Sequence, residues 1–300
     1  MHRIYVIANS KRRPAVAAIL NGLLPWLRKN ATVVKVDRNG NSDLRRINAD
    51  LILVFGGDGS ILGAARRLNG NPIPVFGVNM GQLGFLAEIA PDELSNVLPA
   101  MLRGDYVLSP RMMLQVTVPA DAQGSVRIRS ESAGGAFKLE KRRRHFEALN
   151  DAVLLRLPMA SMMTVRVTVC GEEIAMYKGD GLIVSTATGS TGYNLSAGGP
   201  ILSERLKAMI ITPVCPHTLA NRPIVLSGDE TVEVSVETRT GSPAELVMDG
   251  QISCSLKSGS VVKISKAPYE FNLATLGKKG RYEIIRDKLH WAGWVKDVKK

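Results

Sequence analysis

The first hundred residues alternate between two hydrophobic periods. Short, continuous apolar runs read as strands buried on both faces: "RIYVIA" at 3–8, "TVVKV" at 32–36, "LILVF" at 51–55 and "IPVFGV" at 73–78. Between them Val16, Ile19, Leu20, Leu23, Leu24 and Leu27 recur at helical spacing, and Pro25 inside that pattern predicts a kink or an earlier stop. Ile61, Leu62, Ala65 and Leu68 share a second helical face with Ser60 as the expected N-cap, and "PDELSNVLPAMLRG" at 91–104 closes the unit as a short helix. Such alternation predicts an α/β domain, a parallel sheet with flanking helices.

From about Ser109 the texture changes to β-branched runs broken by turn residues: "LQVTV", "VRVTV", "GLIVST", "AMIIT", "TVEVSVET" and "VVKIS". No long helical period returns before the tail, so the second part is expected to be mostly β. The predicted units are an α/β domain over 1–106, a β-rich domain over 107–275 and a C-terminal segment over 276–300 that is helical or loosely ordered. A chain of 300 residues, 45% of them hydrophobic, fits two domains better than one core.

Charge and cysteine usage narrow the partners. The formal net charge of +12 favours polyanions: nucleic acid, anionic lipid or phosphate-rich small molecules. Its densest run, "KLEKRRRH" at 138–145, lies beside a Gly/Ser/Ala-rich stretch and reads as a solvated loop rather than a nucleic-acid patch. Cys170, Cys215 and Cys254 are odd in number and far apart, which suggests neither a disulfide frame nor a zinc site, so small buried hydrophobes are expected. Without a secretory or bilayer-length apolar run, a cytoplasmic protein with no membrane partner is expected.

Three stretches carry candidate chemistry. In "GGDGS", Gly56, Gly57, Gly59 and Ser60 join a buried strand to a helix start, where backbone N–H groups and the helix dipole suit phosphate. Neither the P-loop nor the Gly-x-Gly-x-x-Gly spacing is present. Asp58 would repel phosphates, so an acid there makes sense if it holds a metal, binds a sugar hydroxyl or accepts a proton from one; a plain helix cap is the competing reading. The second stretch, 176–201, gathers Thr188, Ser190, Thr191 and Ser196 around Tyr193, a composition that suits a polar ligand with a flat ring better than a surface loop. Lys178 and Asp180 precede it. The third is Asn150-Asp151 at the start of an apolar strand, able to bind a sugar hydroxyl but equally an ordinary turn pair.

Together these stretches resemble the NAD kinase family. The resemblance rests on "GGDGS" at 56–60, "GVNMGQLGFL" at 77–86, "LND" at 149–151, "DGLIVSTATGSTGYNLSAGGPI" at 180–201 and "PHTLANRPIV" at 216–225, in that order. It implies transfer of the terminal phosphoryl group of ATP to the 2′-hydroxyl of NAD's adenosine ribose, with Asp58 as the catalytic carboxylate and Gly59 beside it. Asn150 and Asp151 would hold the adenine side of NAD, and Lys178 and Asp180 the nicotinamide or ribose end. Thr191, Gly192, Tyr193, Asn194, Leu195 and Ser196 would line the nucleotide with Thr188. Phe85 would form an apolar wall, and Gln251 and Ser161 would add contacts. Ala187, Gly192 and Asn194 depart from the proline, alanine and serine common in the family.

The resemblance also implies a tail returning to the first domain, a magnesium ion accompanying ATP, a nucleoside triphosphate or polyphosphate donor, and a homodimer or homotetramer. Two other readings stand beside it. A lipid kinase of the diacylglycerol type shares the GGDGS motif, and a non-catalytic nucleotide- or nucleic-acid-binding protein would use the basic charge. Few aromatics surround the basic run, so nucleic acid is not the expected partner.

Overall fold

The computed structural model describes all residues except 1, 11–12, 82–83, 120–125, 130–136, 141–143, 158–161, 219, 240–241, 278–280 and 290–300. Strand β1 (Arg3–Ala8) leads through helix α1 (Pro14–Asn30) to β2 (Thr32–Asp37). Strand β3 (Leu51–Gly56) leads through α2 (Asp58–Leu68) to β4 (Val75–Asn79), and α3 (Leu94–Arg103) follows. The pairs β1–β2, β1–β3 and β3–β4 are all parallel, in the order β4-β3-β1-β2. Alternate residues of these strands feed two cores. Ile4, Val6, Leu51 and Leu53 pack with α1 and α3, whereas Tyr5, Ile7, Ile52 and Val54 pack with α2. Burial on both faces explains the unbroken apolar runs.

Two helix boundaries differ from expectation. Helix α1 runs on past Pro25 to Asn30; Pro25 is exposed, so the carbonyl that loses its N–H partner faces water. Helix α2 starts at Asp58 with Gly57 as a side-chain-free N-cap, and Ser60 lies inside the first turn. A Cβ on Gly56 would collide with the Ser60 side chain, so the tight entry to α2 demands a glycine there.

The remaining strands build a sandwich. They are β5 (Val107–Thr117), β6 (Val126–Arg129), β7 (Phe137–Glu140), β8 (His145–Ala148), β9 (Asp151–Arg156), β10 (Met163–Val169), β11 (Glu172–Gly179) and β12 (Gly181–Thr186). After the short helix α4 (Tyr193–Ser196) come β13 (Ala208–Val214), β14 (Ile224–Ser227), β15 (Val232–Thr238), β16 (Ala244–Met248), β17 (Ile252–Leu256) and β18 (Val261–Thr275), then helix α5 (Arg281–Leu289). One sheet has eight strands in the order β14-β13-β12-β9-β16-β17-β6-β7. Its inner face packs Ala152, Leu154, Leu182, Val184 and Leu246 against Val165, Val234, Val262 and Ile264 of the other sheet.

That other sheet is continuous with the N-terminal one. Strand β18 pairs antiparallel with β15 and β5 and, at Leu273, parallel with Val75 of β4, giving a mixed ten-stranded sheet. The chain therefore returns to the first sheet before residue 276. The cysteines also depart from expectation: Cys254 is buried, and burial pushes its thiol up to about 12, but Cys170 and Cys215 are exposed. Both sit at turns with positive φ, 50° and 45°, where the chain reverses at the surface.

Candidate active site

The order β4-β3-β1-β2 places the chain's switch of direction between β1 and β3, and ligands of open α/β sheets bind beyond the carboxyl ends of strands at such a point. The carboxyl end of β3 is Gly56, two residues before Asp58. There the Asp58 carboxylate accepts N–H bonds from Phe85 at 2.7 Å, Leu86 at 3.0 Å and Ala87 at 3.3 Å. Gly84 makes this grip possible, because a Cβ on it would overlap the carboxylate. A carboxylate offers about four lone-pair sites, so three N–H bonds orient Asp58 and leave room for one more donor. It is therefore more than a helix cap.

A second acid organises the other half. Asp249, in the tight turn between β16 and β17, accepts N–H bonds from Leu149, Asn150 and Asp151 at 3.1, 2.8 and 3.3 Å. Its other partner is Arg66 of α2, 3.3 Å away, with both side chains buried. Arg66 also donates to Gln251 Oε1 at 2.5 Å, and Gln251 Nε2 donates to the Gly59 carbonyl at 2.7 Å. One network thus connects the residue after Asp58 to the start of β9. Beside it, burial first and the charge of Asp249 second push the Asp151 carboxyl up to about 7.

The stretch after β12 folds over Asn150. Thr186 N and Ser185 Oγ donate to the Asn150 carbonyl, and Thr186 Oγ1 donates to the Leu149 carbonyl at 2.6 Å. The Asn150 side-chain oxygen is buried with no hydrogen-bond partner, a costly state that a ligand's donor would relieve. Gly192 lies against the same amide, Thr188 is nearly buried, Leu195 is half-buried, and Tyr193 and Ser196 face solvent. Asn194 differs from expectation. It is fully buried, donates to the Ser190 and Pro200 carbonyls at 3.0 Å each and accepts from Thr212 Oγ1 at 2.6 Å. Its amide pins the loop from beneath, and the close packing of Gly199 on it leaves no space for a ligand.

Between these parts opens a cavity of about 990 Å³, lined among others by Phe85, Leu108, Arg111, Thr188, Thr191 and Ile285. Its size suits a nucleotide. Lys178 and Asp180 do not line it: Lys178 belongs to β11, and Asp180 precedes the end of β12 opposite Thr186, on the order of 17 Å away at strand spacing. Lys178 is exposed, and Asp180 is paired with Arg156 at 2.6 Å. Ser161 lies outside the described residues. Arg66 and Asp249 escaped sequence reasoning, although the Asp249-Gly250 dipeptide marks the turn that presents the acid.

A carboxylate caged at a glycine turn, with two of the residues that hold it, Phe85 and Leu86, lining one nucleotide-sized cavity together with a hydroxyl-rich loop, defines a nucleotide-binding protein of the α/β-plus-β-sandwich class. The family models agree: residues 26–106 match the ATP-NAD kinase N-terminal domain and residues 149–276 the ATP-NAD kinase C-terminal domain. The NAD kinase of Geobacter metallireducens is 38% identical over 287 residues, covering 93% of this chain and 95% of that one. That of Citrifermentans bemidjiense is 36% identical over 291 residues with the same coverage. The chain belongs to the NAD kinase family. A crystal structure of an Archaeoglobus fulgidus NAD kinase in complex with ATP superposes with a TM-score of 0.71 at 26% identity, over 97% of this chain and 100% of that one. Yeast NADH kinase complexed with NADH shares the fold, with a TM-score of 0.74 at 20% identity over 99% and 89% of the two chains.

Proposed function

We propose that this chain phosphorylates the 2′-hydroxyl of the adenosine ribose of NAD with ATP, yielding NADP and ADP, and that Asp58 receives the hydroxyl proton. The bond from the terminal phosphorus to the bridging oxygen of ADP breaks as the bond to the ribose oxygen forms. In a loose transition state the proton leaves late, so placing the carboxylate matters more than its basicity. The observation that carries this reading is the caging of Asp58 by three backbone N–H groups at the strand switch point, next to the cavity. Asn150 would use its unpartnered amide oxygen on the adenine, Asp151 a sugar hydroxyl, and Thr188 and Thr191 the nucleotide's polar edge. Gln251 acts through Gly59 and Arg66 rather than as a primary contact.

Among the described residues no three His, Cys, Asp or Glu side chains cluster to hold a metal. In this reading a magnesium ion arrives on the phosphates of ATP, whose oxygens are the ligands that ion prefers. Bound there, the ion would neutralise charge on the donor phosphates.

Self-association belongs to the same reading. Strand β11 is an outer strand of the ten-stranded sheet and exposes Ile174 and Met176 beside Lys178. Lys178, near the end of β11, and Asp180, just before β12, do not line the cavity, so a nucleotide contact of theirs would come from a second copy. The test is direct. Purified protein given NAD, ATP and magnesium should form NADP, read with an NADP-specific dehydrogenase; absence of NADP while ATP phosphorylates another alcohol would overturn the substrate.

A further inference from the structure

Helix α5 brings a cation to the caged acid. Its residues Ile284 and Ile285 form one wall of the 990 Å³ cavity, and in its last turn Lys288 places Nζ 4.2 Å from the centroid of the Phe85 ring. Phe85 is the residue whose own N–H holds Asp58 Oδ2 at 2.7 Å. Lys288 is half-buried, and its ammonium is pulled down by burial while the charge of Asp58 opposes that shift, which places the two groups within electrostatic reach.

Phosphoryl transfer needs positive charge around the donor's phosphates, and the described residues supply no metal cage to provide it. Lysine serves phosphate as a compact point charge on a flexible stem. A cation over an aromatic face gains only about 0.5–2 kcal/mol from that contact, no more than a charge-assisted bond to a phosphate oxygen offers an ammonium. We propose that Lys288 is a ligand of the terminal phosphates of ATP, carried onto the site by α5 and parked on the Phe85 ring until the donor binds. This inference rests on the NAD kinase reading above. It makes the C-terminal helix part of the donor site and not only a wall of the cavity.

The experiment compares Lys288→Met and Lys288→Arg with the wild-type full chain. For Lys288→Met, kcat/KM for ATP should fall roughly 10- to 100-fold, the range of one charge-assisted hydrogen bond, while KM for NAD stays within about twofold. Lys288→Arg should recover most of the loss. Binding of the ATP analogue AMP-PNP should weaken in Lys288→Met, whereas binding of AMP, which lacks the outer phosphates, should not. Equal losses for ATP and NAD with no rescue by arginine would overturn the proposal and leave α5 a packing element; so would unchanged kinetics. Wild-type turnover of NAD, measured alongside, tests the kinase reading separately.

Discussion

Arg66 of helix α2 and Asp249 of the β16–β17 turn, 183 residues apart in sequence, form a buried ion pair at 3.3 Å that ties the glycine turn to the sandwich. Removing one partner of a buried pair strands the other charge, at a cost of about 3–5 kcal/mol. Arg66→Met should therefore lower the Tm by roughly 10 °C. In a double-mutant cycle with Asp249→Asn the two losses should be strongly non-additive. Additive losses would show that the network does not act as a unit.

Gly84 should be irreplaceable for turnover. A Cβ there overlaps the Asp58 carboxylate, whereas one on Gly81 meets nothing within 4 Å. Gly84→Ala is expected to reduce kcat about 100-fold with the fold retained, while Gly81→Ala keeps wild-type rates. Near-normal activity of Gly84→Ala would mean that the cage around Asp58 is not needed for catalysis.

Asp151 makes stability fall as pH rises. Its carboxyl is pushed from 3.8 to about 7 in the folded state, so folding retains a proton that the unfolded chain releases between about pH 4 and pH 7. Stability is lost progressively across that window and stays reduced above it. Asp151→Asn should match wild type near pH 4 and exceed it by at least about 3 °C in Tm at pH 8. A difference independent of pH would contradict the buried, proton-holding state.

Chelation should separate activity from stability. With no metal cage among the described residues, excess EDTA should abolish NADP formation and leave the thermal unfolding curve unchanged. A fall in Tm on chelation would reveal a resident ion.

How much of this was legible in sequence depended on the range of the interaction. The parallel strands β1 to β4 were readable because burial on both faces writes continuous apolar runs, and Asp58 stood out because a carboxylate among three glycines has few structural excuses. The joining of β18 to β4 was not readable, since one strand serving two sheet halves has the same local pattern as two shorter ones. Asn194 and Gln251 were recognisable as important, but their polarity could not reveal that both spend their amides on the protein itself. Arg66 looked like any basic residue late in an amphipathic helix; its partner lay on a turn whose approach only the tertiary structure sets.

The most direct measurement is NADP formation by wild type and Asp58→Asn under identical NAD, ATP and magnesium, with NAD binding as the control for an intact site. Wild type should form NADP, and Asp58→Asn should bind NAD yet lose at least about 100-fold in kcat, the contribution of a positioned proton acceptor. Full turnover by Asp58→Asn would contradict the role assigned to the caged carboxylate.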